Sequence, residues 1–322
     1  MYRIGVDLGG TNIAAGLVDD NYAIVYKKSV PTDAATRTSE EITAAIADLC
    51  RDICKDTGVD IRALDAIGIA SPGIVNAEKG TVEYANNLSF RRFPLCDLLR
   101  QMTGVTRVYT ENDANAAAMG EAVVGAAKGT RNSVMITLGT GVGGGIVLNG
   151  KVYTGFNGAA GELGHMVIEK DGVPCTCGRR GCFEQYGSAS GLIRMTKEKM
   201  AECAAKGRDT RLGEFLGKSG EVNGRTAFEA MRAGDAAAKE VVDRYLSYLA
   251  AGIGNLINIF QPEVFSIGGG ISNEGDNLLL PLVPLVRKES HGDGFVEPPK
   301  IVIAKLRNDA GIIGAAYLGS VS

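Results

Sequence analysis

Residues 161–184 concentrate side chains that bind metals, in the sequence GELGHMVIEKDGVPCTCGRRGCFE. The whole chain has two histidines and seven cysteines. One histidine and three cysteines nevertheless fall in this segment, namely His165, Cys175, Cys177 and Cys182. Three thiolates and one imidazole make a complete tetrahedral ligand set for Zn²⁺, and a site with four protein ligands is structural. The spacing therefore predicts a structural zinc site, and the alternative is a cluster of reduced thiols without metal.

Two glutamates flank these ligands and indicate what the zinc would organise. Glu162 lies three residues before His165, and Glu184 lies two residues after Cys182. A metal-bound imidazole normally donates its second N–H group to an oxygen atom. We therefore expect a polar pocket at this place, suited to a ligand rich in hydroxyl groups such as a sugar.

Two glycine-rich turns are candidates for binding phosphate. They read DLGGT over residues 7–11 and LGTGVGGG over residues 138–145. Backbone N–H groups in such turns can approach an anion closely. The second turn also fits the dinucleotide fingerprint G-x-G-x-x-G, but a strand pattern follows it where that fingerprint requires a helix. We therefore predict phosphate binding without a dinucleotide-binding fold.

Chain length, net charge and the number of cysteines indicate the number of domains, the expected partners and the cellular compartment. A chain of 322 residues is long enough for two domains. The net charge of −3 gives no basic surface for nucleic acid or an anionic membrane, so neither is an expected partner. No signal peptide and no membrane-spanning apolar run is evident, so we expect a cytoplasmic protein with reduced thiols. The other cysteines are expected to be buried thiols: Cys50, Cys54, Cys96 and Cys203.

Hydrophobic periodicity predicts the alternating strands and helices that would position these residues. Strands are expected over 2–8, 13–18, 22–30, 66–70, 81–84, 107–110, 264–267 and 300–304. Helices are expected over 39–56, 94–103, 114–124, 188–206, 225–232, 235–259 and 309–319, the first with a capping box formed by Thr38 and Glu41. Residues 133–153 repeat the glycine-turn hairpin of the N-terminus, which suggests a duplicated fold.

An acidic segment follows the strand predicted over 107–110. Glu111, Asn112 and Asp113 come at its C-terminal end, immediately before an alanine-rich helix. In open α/β sheets this position faces the ligand crevice. Asp113 could cap the helix, or it could accept a proton from a bound hydroxyl group. The residues alone leave both roles open.

Taken together, these motifs resemble those of the ROK family of sugar kinases and repressors. DLGGT, ENDANA, LGTGVGGG, GELGH, CxCGxxGCxE and GGGI occur in this order along the chain. The resemblance implies an α/β, actin-like ATPase (ribonuclease H-like) fold with two domains around a cleft. We expect a smaller N-terminal domain over 1–115, joined by a C-terminal helix over 306–322. A larger domain over 116–305 would contain the zinc-binding segment.

The resemblance also implies an activity, ATP-dependent phosphorylation of a hexose with Mg²⁺, and residue roles. Asp113 would be the general base on the sugar hydroxyl group, and His165 would bridge sugar and zinc. The expected sugar-binding residues are Gly73, Asn87, Asn112, Asp113, Glu162, His165 and Glu184. The expected nucleotide and Mg²⁺ residues are Asp7, Gly9, Gly10, Thr11, Asn12, Gly139, Thr140, Gly141, Gly143, Gly269 and Gly270.

Several alternatives stay open at this point. The motifs resemble in particular those of the family's glucokinases, which implies glucose as the sugar. Glucokinases of the family often carry a tryptophan after the Asn-Leu pair, whereas this chain reads NNLSF over 86–90 and has none. N-acetylmannosamine, allose, fructose and mannose are therefore alternatives, as is polyphosphate instead of ATP. A sugar-sensing regulator is a further one, although family repressors have a DNA-binding segment before the DxGGT turn and only six residues precede Asp7 here. The resemblance also implies a homodimer or homotetramer.

Overall fold

The computed structural model of the chain describes residues 1–85, 87–318 and 320. The chain divides into two compact units. Unit 1 comprises residues 1–133, 145–161 and 305–322, and unit 2 comprises residues 134–144 and 162–304. The domain bounds expected from the sequence are not the bounds of these units and remain a prediction. Within the expected C-terminal segment 306–322, residues 319, 321 and 322 lie outside the described residues.

Strands make up three sheets in the described part of the chain. The strands are β1 (Arg3–Leu8), β2 (Asn12–Val18), β3 (Ile24–Pro31), β4 (Ala66–Ser71), β5 (Ile74–Asn76), β6 (Thr81–Tyr84), β7 (Arg91–Phe93), β8 (Val108–Asn112), β9 (Ser133–Leu138), β10 (Val142–Leu148), β11 (Lys151–Val152), β12 (Val264–Gly268) and β13 (Lys300–Ile303). The short strands β5, β6 and β7 form the small third sheet.

The α-helices of the described residues follow the strands in the alternation that the sequence predicts. They are α1 (Ser39–Thr57), α2 (Leu95–Thr103), α3 (Asp113–Val123), α4 (Glu184–Gly187), α5 (Ala189–Lys206), α6 (Thr226–Arg232), α7 (Ala236–Phe260), α8 (Asp276–Glu289) and α9 (Ala310–Leu318). The predicted capping box of α1 is confirmed, because Thr38 and Glu41 each accept the other's backbone N–H. No helix among the described residues has both the length and the apolar character needed to span a bilayer.

The first five-stranded sheet has the order β3-β2-β1-β4-β8. The three strands predicted at the N-terminus form an antiparallel meander, since β1 pairs antiparallel with β2 and β2 pairs antiparallel with β3. β4 pairs parallel with both β1 and β8. Parallel neighbours end at the same edge of a sheet. That edge therefore receives Asp7 from β1 and the acidic segment from β8, as required for a ligand site.

Helix α9 packs on this sheet and against α3, and both helices belong to unit 1. Its sequence AGIIGAAYL is apolar on every side, which is typical of a helix buried all round. The two helices approach very closely at Gly314, where a Cβ atom would lie 1.7 Å from the carbonyl oxygen of Ala116. Only glycine fits at this crossing. The contact ties the last helix to the helix that begins with Asp113.

The second five-stranded sheet has the order β11-β10-β9-β12-β13. This matches the first sheet strand for strand, with a hairpin of three strands followed by two later strands. β12 and β13 pair parallel, as the corresponding strands β4 and β8 do. The repeated strand order agrees with the duplication that the two glycine turns suggest.

Helix α8 was not predicted from the sequence. Pro281 and Pro284 lie inside it, and proline removes a backbone hydrogen bond and clashes with the preceding turn. The helix nevertheless forms because Leu278, Leu282 and Val286, four residues apart, are all buried. Tertiary packing of that apolar stripe outweighs the local penalty of the prolines.

Candidate active site

The four predicted zinc ligands come together in unit 2. One donor atom from each of His165, Cys175, Cys177 and Cys182 lies within 4.8 Å of all the others. His165 directs Nδ1 towards Cys175 Sγ at 3.6 Å, and the sulfurs of Cys177 and Cys182 are also 3.6 Å apart. A zinc tetrahedron has edges of about 3.8 Å between two sulfurs and about 3.6 Å between sulfur and nitrogen. The donor types and these two distances are compatible with a zinc site, whereas a disulfide would need sulfurs about 2.05 Å apart.

The backbone of the Cys-rich segment is folded to bring these ligands together. Val167 and Cys182 form an antiparallel bridge, and the Phe183 N–H donates to the Met166 carbonyl at 2.7 Å. Gly181 has φ of 77°, and a Cβ atom there would lie 1.6 Å from the Glu169 carbonyl oxygen. Glycine is required at this turn on both counts. The glycines of CxCGxxGC are thus part of the ligand geometry.

The thiols differ in their surroundings. The backbone N–H of Arg179, followed by the neighbouring thiols, lowers the pKa of the exposed Cys177. Burial, followed by the other two sulfurs, raises the pKa of Cys182 to about 12. A metal ligand must be a thiolate, so binding of zinc would displace the proton from Cys182.

Glu162 and Glu184 lie on either side of the zinc-binding segment, also in unit 2. Glu162 precedes a short 3₁₀ turn over Leu163–His165, and its carbonyl accepts the His165 N–H at 3.0 Å. Glu184 begins α4, and its Oε2 accepts the Val142 N–H at 3.2 Å. The structure therefore places Glu184 directly against the second glycine turn, a contact that the sequence did not predict.

The second glycine turn is braced by its neighbours in unit 2. The Ala189 N–H donates to the Gly139 carbonyl at 2.8 Å, and Ser190 Oγ donates to the Thr140 carbonyl at 2.7 Å. Gly269 follows β12 and lies against the backbone of Leu138, where the turn begins. Gly269 thus lies next to the start of the turn that contains the predicted phosphate residues Gly139, Thr140, Gly141 and Gly143.

The predicted residues of unit 1 gather at the edge where β1, β4 and β8 end. The first turn is closed by the Gly9 N–H donating to the Asn12 carbonyl at 2.9 Å. Asn87 Cβ lies 3.5 Å from the position that a Cβ on Gly10 would take. Thr11 accepts the N–H of Thr32 at 2.8 Å. The turn and the predicted sugar residue Asn87 are therefore neighbours.

Asn112 joins two parts of this edge. Its Oδ1 caps α3 by accepting the N–H groups of Ala114 at 2.9 Å and Asn115 at 3.2 Å. Its Nδ2 donates to the Gly73 carbonyl at 3.0 Å. The cap of α3 is thus Asn112, and Asp113 is the first residue of the helix, with an exposed carboxylate whose Oδ1 accepts the Ala114 N–H at 2.8 Å.

Asp7 and Asp113 interact electrostatically within unit 1. Burial is the largest cause that raises the pKa of Asp7 to about 6, the charge of Asp113 raises it further, and Lys27 lowers it. Lys27 itself pairs with Asp309. A cation bound beside Asp7 would relieve the repulsion between the two carboxylates.

Three polar residues of this edge have no role predicted from the sequence. Thr32 is fully buried, and its Oγ1 donates to the Gly9 carbonyl at 2.7 Å. Glu111 and Asn115 are buried beside Asp113 and bonded to each other. The only sequence signal was that two polar residues flank Asp113 within the ENDANA segment. The roles assigned to all of the site residues remain predictions at this point.

Comparison with known proteins places the chain in a family. The sequence pattern of the ROK family matches residues 3–320. A glucokinase from Halalkalibacterium halodurans is 39% identical over 98% of this chain and 94% of its own length. The structure of a ROK family glucokinase from Streptomyces griseus, in complex with glucose and AMPPNP, superposes with a TM-score of 0.81 at 37% identity over 100% of both chains.

A regulator shares the fold as well. The structure of a ROK family transcriptional regulator, a homologue of the E. coli MLC protein, has a TM-score of 0.84 at 27% identity, covering 99% of this chain and 78% of that one. These matches and the two repeated sheets confirm the actin-like ATPase fold. The family pattern covers nearly the whole chain, and the protein belongs to the ROK family.

Proposed function

We propose that the chain transfers the γ-phosphoryl group of ATP to glucose and forms glucose 6-phosphate and ADP. The chain is an ATP-dependent sugar kinase, as its glucokinase relatives indicate. The choice of glucose and ATP rests mainly on one observation. The S. griseus glucokinase that matches this chain over its full length was captured with glucose and AMPPNP.

We propose Asp113 as the general base. Its carboxylate is exposed at the first turn of α3, so a bound hydroxyl group can reach it. In the transfer, Asp113 accepts the proton of the 6-hydroxyl group while that oxygen bonds to the γ-phosphorus and the bond to the ADP oxygen breaks. Asn112, whose amide holds the Gly73 turn, would orient the sugar beside it.

The nucleotide would bind at the two glycine turns. Residues Gly9–Asn12 and Gly139–Gly143 would bind the phosphates through their remaining backbone N–H groups, since those of Gly9, Gly139 and Val142 already donate within the protein. Gly269 and Gly270 would flank the nucleoside. Asp7 is the carboxylate that would hold the Mg²⁺ of the nucleotide complex. Mg²⁺, when bound, neutralises charge on the phosphoryl oxygens. Thr32 supports this arrangement because it bonds the turn through both its side chain and its N–H.

Zinc would be held by His165, Cys175, Cys177 and Cys182, and it would supply structural cross-linking only. Four protein ligands leave no position for a reacting water or sugar oxygen. We propose that the metal orients His165, so that its Nε2 is available to a sugar hydroxyl group, and fixes Glu162 next to it. Glu184 would complete this sugar-binding wall and connect it with the second glycine turn through Val142.

A coupled assay of ADP release across a panel of hexoses tests the activity. We expect the highest kcat/KM with glucose and ATP, and lower values with mannose, fructose, allose and N-acetylmannosamine. Replacing ATP by polyphosphate tests the donor in a second assay, which measures glucose 6-phosphate because polyphosphate releases no ADP. A higher kcat/KM with another hexose would contradict glucose as the substrate.

The structural similarity to the transcriptional regulator supports a second candidate, a sugar sensor. A sensor would bind glucose without turnover. Glucose binding by calorimetry, combined with no ADP release for any hexose, would favour that reading over the kinase. We also propose a homodimer or homotetramer, which sedimentation would test.

A further inference from the structure

A buried glutamate lies directly beside the proposed base. Glu111 is 5% exposed and is the last residue but one of β8. Its Oε1 accepts the backbone N–H of Asn112 at 2.9 Å and the Nδ2 group of Asn115 at 3.1 Å. One carboxylate oxygen thus holds the residue before Asp113 and a residue two positions after it. The proposed reaction gives Glu111 no role of its own.

The hydrogen bond to Glu111 fixes the orientation of the Asn115 side-chain amide. Asn115 is 3% exposed, and its Oδ1 has no hydrogen-bond partner among the residues that the structure describes. A buried polar atom is normally paired. The Asn115 amide is therefore oriented by its bond to Glu111, because the reverse orientation would set Oδ1 against a carboxylate oxygen.

The same turn is fixed from its other side by Asn112. Both atoms of the Asn112 amide are used, Oδ1 for the cap of α3 and Nδ2 for the Gly73 carbonyl. Glu111 holds the backbone of this same residue. The first turn of α3 is consequently held at Asn112 and at Asn115, and Asp113 lies between these two points.

We propose that Glu111 is a positioning residue that sets the direction of the Asp113 carboxylate by holding Asn112 and Asn115. The inference rests on the proposed function, in which Asp113 accepts the proton. General-base catalysis is sensitive to such positioning, since a misplacement of about 1 Å can reduce a rate about 100-fold. Glu111 does not touch the substrate in this proposal and acts only through Asp113.

A double-mutant cycle on kcat tests the proposal. We expect Glu111→Ala to lower kcat about 10-fold to 100-fold, with the KM for ATP changed less than about 2-fold. Glu111→Gln retains an acceptor oxygen and should restore most of kcat. In an Asp113→Asn background, Glu111→Ala should lower the residual kcat less than about 2-fold, because the group being positioned is already lost. Asn115→Ala, which keeps the Glu111 bond to Asn112, should show the same pattern with a smaller loss.

Glu121 provides the matched control. Like Glu111 it is a buried glutamate, but it lies in α3, far from Asp113 along the helix. Its carboxylate accepts the N–H groups of Ala126 at 2.6 Å and Leu306 at 2.7 Å. Glu121→Ala should lower the melting temperature while any change in kcat is equal in both backgrounds. Equal factors in both backgrounds for Glu111→Ala, or failure of Glu111→Gln to restore kcat, would overturn the positioning role. A near wild-type kcat for Asp113→Asn would instead overturn the base assignment, and the inference with it.

Discussion

At the residue scale, Asp113 connects local structure with the proposed chemistry. Asn112 caps α3, which leaves the neighbouring carboxylate exposed at the helix N-terminus. We expect Asp113→Asn to reduce kcat about 10²-fold to 10⁴-fold, the usual contribution of a general base. The amide cannot accept the proton, while its size still permits glucose to bind. Stopped assays for kcat and calorimetry for glucose affinity measure the two effects separately.

An exposed aspartate serves as the control for this change. Asp209→Asn alters a charge in unit 2 outside the described site and should leave kcat unchanged. Retention of more than about half of the wild-type kcat by Asp113→Asn would reject the base role. A large loss of glucose affinity would instead indicate that Asp113 mainly binds the sugar.

Asp7 should make the stability of the metal-free protein depend on pH. Its pKa is raised from 3.8 to about 6, mainly by burial and next by Asp113. Between about pH 4 and pH 6 the folded chain holds this proton and the unfolded chain has released it. Stability contributed by the protonated form is therefore lost as pH rises through this window.

The variant Asp7→Asn tests this dependence. At pH 7 we expect it to be more stable than wild type by at most about 3 kcal/mol, with the gain shrinking towards pH 4. Urea unfolding in the absence of Mg²⁺ and nucleotide measures the difference at each pH. A gain that is independent of pH would show that ionisation of Asp7 is not its cause.

The sequence could predict the zinc ligands but not the groups that support Asp113. His165 and the three cysteines are close together in the chain, and their residue types are rare in it. Glu111 and Asn115 are ordinary polar residues whose importance depends on burial, and Thr32 depends on a contact 23 residues away. The zinc ligands are local in sequence, whereas the contacts of Glu111, Asn115 and Thr32 exist only after β1, β4 and β8 are assembled.

At the element scale, the crossing of α3 and α9 is the contact most sensitive to substitution. Gly314→Ala would place a methyl group 1.7 Å from the Ala116 carbonyl oxygen, so the helices must move apart. We expect a loss of about 3 kcal/mol, the upper part of the usual range for overpacking. Chemical denaturation measures this loss, and kcat should fall too because α3 begins with Asp113.

Gly213→Ala is the matched control for that substitution. No atom lies within 4 Å of the added methyl group, and the residue does not have a positive φ. Its free energy of unfolding should stay within about 0.5 kcal/mol of wild type. If Gly314→Ala is no less stable than Gly213→Ala, the close helix crossing does not exist in solution.

Most elements could be predicted, and the exceptions have physical reasons. Strands β1 to β3 and helices α1, α5 and α7 follow clear periodicity. Helix α8 forms despite its two prolines, because burial of Leu278, Leu282 and Val286 stabilises it by more than the prolines destabilise it. The apolar spacing of these three residues was the signal that could have revealed it.

At the scale of the whole molecule, each unit should respond separately to removal of the metal. All four predicted zinc ligands lie in unit 2. We expect about one zinc per chain, and chelation should increase amide hydrogen exchange in residues 163–184 while β1, β4 and β8 keep their protection. Metal analysis and hydrogen-exchange mass spectrometry measure these two effects.

Two cysteines of unit 2 make a matched pair for this experiment. Cys182→Ala should abolish zinc binding, whereas Cys203→Ala removes a buried thiol of α5 that is outside the cluster and should keep the metal. Stoichiometric zinc in Cys182→Ala would show that the four-residue cluster is not the binding site. Unchanged exchange after chelation would show that the metal does not organise this segment.

The position of α9 in the chain affects how the protein can be synthesised. Ribosomes release the polypeptide from its N-terminus, so strands β1, β4 and β8 emerge early, but the helix that packs on them comes from residues 310–318. Every residue of unit 2 is translated before that helix appears. During synthesis, the face of the first sheet that α9 covers therefore stays exposed until the end of the chain is translated. Unit 1 begins to form first but is completed last.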